Sequence, residues 1–141
     1  MREFSYYLQT KDVKKQFVDL NTAKATARDA LDRITLATHL HKKEKPKYVL
    51  ESSYEAIREL IDAILYLDGY KSYSHEASVA YLLELHIARQ EAEKIDWLRV
   101  KRNRIKYYGE DVSEENAQYA LELSKKIIEE LFSKKPVLRP I

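Results

Sequence analysis

Between Leu50 and Leu67, apolar residues recur at helical spacing so densely that a single covered face cannot hide them. Leu50, Tyr54, Ile57, Ile61 and Ile64 fall on one stripe, and Ala56, Leu60, Ala63 and Leu67 lie beside it. An arc this broad belongs at the centre of a bundle, with other helices packed around it. Only 2 Gly and 3 Pro occur in 141 residues, too few for the turns of a β fold. The 45% hydrophobic and 34% charged residues suit long amphipathic helices instead. The expected class is all-α, an up-and-down bundle of about five helices.

The remaining pattern supplies the other helices. Val13, Leu20, Ala23, Ala27, Ala30, Ile34 and Ala37 alternate steps of three and four, which predicts one long helix from Val13 to about Glu44. Its stripe is rich in alanine and lets a second backbone approach closely, while Asn21-Thr22 marks a kink or a fresh start. Pro46 disfavours helical geometry at Lys45, so Lys42 to Lys47 reads as a basic turn between antiparallel helices. Gly69 closes the second helix. Ser74 caps a third, with Glu76 in its first turn, that runs to about Ala88. A fourth ends at Gly109, and Ser113 caps a last helix through Ala117, Leu121, Ser124, Ile128 and Leu131. Residues 1 to 9 form a short lead that docks by Phe4, Tyr6 and Tyr7. One domain is expected over 1–141, with a helical core at about 10–133 and a flexible tail at 134–141.

Several chemistries are set aside on residue type and spacing. With no cysteine there is no disulfide framework, thiol nucleophile or Cys-based zinc site. His39 and His41 stand two apart, on opposed faces of a helix, and His86 follows Glu84 by two where bundle diiron sites use three. His75 reads as shaping a helix entry. No phosphate loop or nucleophile elbow is found, and neither a metal nor a cofactor is expected. No apolar run approaches the ~20 residues of a membrane span, and the cytoplasm is the expected compartment.

One charge stands out. Ile95, Leu98, Arg102 and Ile105 share a stripe, which places an arginine where the pattern calls for core. Between Arg99 and Lys106 lie five basic residues (Arg99, Lys101, Arg102, Arg104 and Lys106) and no acidic one. The flanking four read as a solvated face. Arg102 needs a partner of its own: an internal carboxylate, or a phosphate held by its planar fork of donors. Spacing does not choose between them.

Arg102-Asn103, three residues, the aromatic pair Tyr107-Tyr108 and Gly109 form a pattern that resembles the HEPN family of nucleotide-binding and RNase domains. The helix Tyr54 to Leu67, the turn Asp68-Gly69-Tyr70 and the restart Ser74-His75-Glu76-Ala77 resemble that family's second helix, turn and third helix. The likeness covers most of residues 10 to 133. It implies a homodimer through the Arg102 helix and a two-component, toxin–antitoxin type of system with a minimal nucleotidyltransferase. It also implies a site in which Arg102, Asn103 and Tyr107 hold the catalytic positions, while Arg99, Arg102, Arg104, Lys106 and Tyr108 bind nucleotide or RNA. The family signature continues with a histidine five to seven positions after the arginine, and here that window holds Tyr107, Tyr108 and Gly109. A phenol with ordinary pKa about 10 is a poor base near neutral pH, so impaired catalysis is expected. Two alternatives stay open: a metal-independent HEPN endoribonuclease, and a purely structural helical interaction domain.

Overall fold

The computed structural model describes residues 1–140, and among them the chain is all-α apart from one small ribbon. Six helices run in order: α1 (Phe4–Gln9), α2 (Leu20–Lys42), α3 (Pro46–Asp68), α4 (His75–Glu84), α5 (Arg89–Tyr108) and α6 (Glu114–Lys134). Strands β1 (Val13–Lys15) and β2 (Tyr70–Ser72) pair antiparallel, Val13 opposite Ser72.

The broad stripe makes α3 the hub. Leu50, Tyr54, Ile57, Leu60, Ile61 and Ile64 are fully buried, and α2, α4, α5 and α6 all pack on this helix. Ala23, Ala27, Ala30 and Ala37 are likewise fully buried, the close-packed seam that the small side chains predict for α2. Two polar contacts orient the long helices. Lys47 Nζ donates to Gly109 O at 3.4 Å, joining the start of α3 to the end of α5. Lys135 Nζ reaches Asp68 Oδ1 at 3.2 Å, joining the end of α6 to the end of α3. The four long helices α2, α3, α5 and α6 therefore alternate in direction between two poles. With 23 residues, α3 separates the poles by about 34 Å.

The helix ends follow the residues that mark them. Gly69 and Gly109 are left-handed at φ +90° and +64°, closing α3 and α5. Ser74 Oγ accepts from Ala77 N at 3.3 Å, and Ser113 Oγ accepts from Asn116 N at 3.1 Å.

Four expectations change. The third helix, expected to run to about Ala88, ends at Glu84, and His86 beyond it is left-handed at φ +61°. The helix expected from Val13 begins instead at Leu20, behind an Asp19 cap, because residues 13–15 pair with Tyr70–Ser72. The aromatic lead is a helix of its own: Phe4 packs on Tyr70 and Tyr81 with ring centroids 5.4 and 4.6 Å apart. The segment expected as a flexible tail is docked as far as it is described: Pro136–Leu138 forms a 3-10 turn, Leu138 is buried, and Arg139 pairs with Glu129 at 2.6 Å. Ile141, part of that expected tail, lies outside the described residues.

Candidate functional site

The C-terminal half of α5 presents two different surfaces. Toward the core, Ile95, Leu98 and Ile105 are buried, and Arg102 lies among them at 12% side-chain exposure. Its Nη2 is 3.2 Å from Glu55 Oε1 on α3, so an internal carboxylate faces it. The contact is an ion pair without hydrogen-bond alignment: Glu55 Oε1 and Arg102 Nε are both buried with no hydrogen-bond partner. Arg102 Nη1 also donates to Asn103 Oδ1 at 3.3 Å.

Glu55 anchors a wider network. Arg58 donates to Glu55 Oε2 through Nε and Nη2 at 3.2 and 2.6 Å, and to Asp62 Oδ2 through Nη1 at 2.7 Å. Ser78 Oγ on α4 donates to Asp62 Oδ1 at 2.7 Å. Arg99 continues the line outward, with Nε 2.8 Å from Asp96 and Nη1 3.6 Å from Glu76. The basic charges facing the α3–α4–α5 junction thus meet carboxylates within the chain. Burial pushes the Glu55 carboxyl up, but hydrogen bonds from Arg58 and the charges of Arg58 and Arg102 outweigh it and hold Glu55 below the usual carboxylate range. Asp62 goes the other way. Burial raises it despite Ser78 and Arg58.

His75 opens α4 against the same network, and its Nδ1 lies 3.3 Å from Tyr54 Oη. Burial, then the charge of Arg58, lower the pKa of its ring; Arg102 and Arg99 act in the same direction and Glu55 opposes them. Burial also raises the Tyr54 phenol, which stays protonated and can donate to a neutral His75.

The outward surface differs. Arg104, Lys106, Tyr107 and Tyr108 are exposed, the two tyrosines at 66% and 84%. Lys101 pairs with Glu110, but Arg104 and Lys106 have no carboxylate partner among the described residues. Lys106 Nζ sits 5.6 Å from the Tyr107 ring centroid. Trp97 and Val100 continue this stripe back along α5 at 42% and 36% exposure, and Trp97 meets Tyr119 of α6 edge-on at 6.1 Å.

The residues singled out in the sequence therefore separate. Arg99, Arg102 and Asn103 belong to the inner network, whereas Arg104, Lys106, Tyr107 and Tyr108 form an outer, unpaired group. Sequence reasoning missed Glu55, Arg58 and Asp62, although their spacing of three and four on one flank of α3 is a legible signal for a charged seam. Among the described residues, no group of three His, Asp or Glu side chains is placed to hold a metal, and no helix is long and apolar enough to cross a membrane. No protein-family model, curated protein or solved structure matched the chain.

Proposed function

We propose that this chain is a HEPN-like, nucleotide- or RNA-binding subunit that pairs with a second copy through α5 and works beside a minimal nucleotidyltransferase in a two-component system. The observation that carries the binding half is the outer end of α5. Lys106 lies 5.6 Å from the exposed Tyr107 ring, and Arg104 and Tyr108 are exposed on the same last turns of α5; cations beside aromatic rings are the combination that contacts phosphate and stacks bases. Arg102 acts as a positioning residue. Its ion pair with Glu55 helps to hold α5 against α3, beneath the surface that binds.

Pairing of two copies is supported by Trp97, Val100 and Tyr119, an exposed apolar patch immediately before the basic end. A two-fold axis through it would bring two basic ends into one assembly. The nucleotidyltransferase partner rests on the Arg102-Asn103 pattern alone, and co-expression followed by intact-mass measurement tests it. Binding is tested by fluorescence anisotropy with a labelled single-stranded oligoribonucleotide. The Arg104→Gln/Lys106→Gln variant should bind about tenfold more weakly at moderate salt; unchanged affinity would remove the reading. A wild-type monomer in light scattering would remove the pairing.

A further inference from the structure

The basic turn Lys42 to Lys47 has no role in the reading above, yet the fold carries it to the same pole as the end of α5. Lys47 makes the junction: its Nζ donates to Gly109 O at 3.4 Å and lies 3.3 Å from Asp111 Oδ1. The turn has a defined shape. Lys43 N and Lys45 N both donate to Leu40 O, and Glu44 between them is left-handed at φ +57°. Lys42, Lys43 and Lys45 are exposed and, like Arg104 and Lys106, have no carboxylate partner among the described residues. Five unpaired cations thus share one pole. The acidic side chains bordering them are Glu44, Glu110 and Asp111; Glu110 pairs with Lys101 and also feels the charge of Arg104, and Lys47 faces Asp111.

Between the turn and the α5–α6 loop runs an open groove of about 270 Å³, with Pro46, Tyr48 and Val112 among its walls. That is below the ~300 Å³ at which enclosed small-molecule pockets begin, and suits one planar ring laid on the surface. Tyr48 is 58% exposed beside it, and Tyr107 and Tyr108 stand at the α5 end of the same pole. Aromatic rings at both ends, with cations at both, match a flexible strand that alternates phosphates and bases. A rigid duplex, whose bases are already stacked, would gain nothing from the tyrosines.

We infer that the pole binds single-stranded RNA several nucleotides long, laid from Arg104–Tyr108 across Gly109 to the Lys42–Tyr48 turn. This extends the α5 binding reading above and depends on it. The test compares two probes on the full-length chain by anisotropy, a labelled dinucleotide and a labelled 12-nucleotide oligouridine, each titrated with salt. The wild type should bind the 12-mer at least about tenfold more tightly than the dinucleotide. Lys42→Gln/Lys43→Gln/Lys45→Gln should abolish most of that advantage and make the 12-mer's log–log salt slope shallower by about 2, at ~0.7 per phosphate contact, while leaving dinucleotide affinity unchanged. Tyr48→Ala should weaken the 12-mer alone. A triple variant that binds the 12-mer as the wild type does would overturn the path and leave the α5 reading standing. Absence of binding to either probe would overturn both. Equal affinity for a 12-base-pair duplex would overturn the single-strand assignment. All four substituted residues are exposed, and circular dichroism confirms that each variant is folded.

Discussion

The inner and outer surfaces of α5 are made of similar residues used in opposite ways. Inside, Arg99 and Arg102 are spent on Asp96, Glu76 and Glu55, and their charges set how the helix is rotated and held. Outside, Arg104 and Lys106 lie two and four residues beyond Arg102, yet form no ion pair among the described residues. Being basic on a helix therefore says little about role. The difference comes from what the neighbouring helices offer, since α3 carries a charged seam opposite the inner face, while Arg104, Lys106, Tyr107 and Tyr108 on the outer one are exposed.

Breaking the inner side should have the largest effect. Glu55→Ala leaves Arg102 without a carboxylate and Arg58 with Asp62 alone, and should cost about 3–4 kcal/mol in chemical denaturation, as expected for stranding a largely buried charge. Arg102→Ala should cost less, about 2–3 kcal/mol, because Glu55 retains Arg58 and the pair is still 12% and 13% exposed. The corresponding outer change, Arg104→Ala, should stay within about 0.5 kcal/mol of the wild type. Equal costs on the two surfaces would dissolve the distinction.

Acid should sharpen it. The His75 pKa is lowered in the folded state, so on falling through the ordinary value near 6.5 the unfolded chain takes up a proton that the folded chain resists. Stability is therefore lost as pH falls from about 7 toward the folded value. Glu55 adds a loss of the same sign further down, since its lowered pKa stabilises the fold above the ordinary carboxylate range and that contribution disappears as it protonates. Asp62, whose pKa is raised, offsets part of it. Denaturation midpoints at pH 7.5 and 5.5 should differ for the wild type and converge for His75→Gln. Arg104→Gln should keep the wild-type pH dependence.

Much of the fold was legible because it is set locally. Gly69, Gly109, Ser74 and Ser113 mark helix ends by backbone conformation and by hydrogen bonds within three residues, and the stripe of α3 announces its own burial. Val13 sits at helical spacing from Leu20 but is buried as a strand residue opposite Ser72, a pairing 59 positions away that no local pattern shows. The site was half legible. The misplaced arginine was visible, but its partner Glu55 is 47 positions earlier, and only the mutual rotation of α3 and α5 decides which of several carboxylates it meets. Likewise, nothing in the Lys42–Lys47 turn announces that Lys47 will touch Gly109. The fold supplies that proximity.

The most direct test of the division between a positioning surface and a binding surface is single-stranded RNA affinity measured side by side for Arg102→Met and Arg104→Gln/Lys106→Gln, at a temperature where both are folded. The account predicts that Arg102→Met unfolds at lower denaturant yet binds within about threefold of the wild type, while the outer pair keeps wild-type stability and loses about tenfold in affinity. Loss of binding in Arg102→Met with full binding in the outer variant would contradict it.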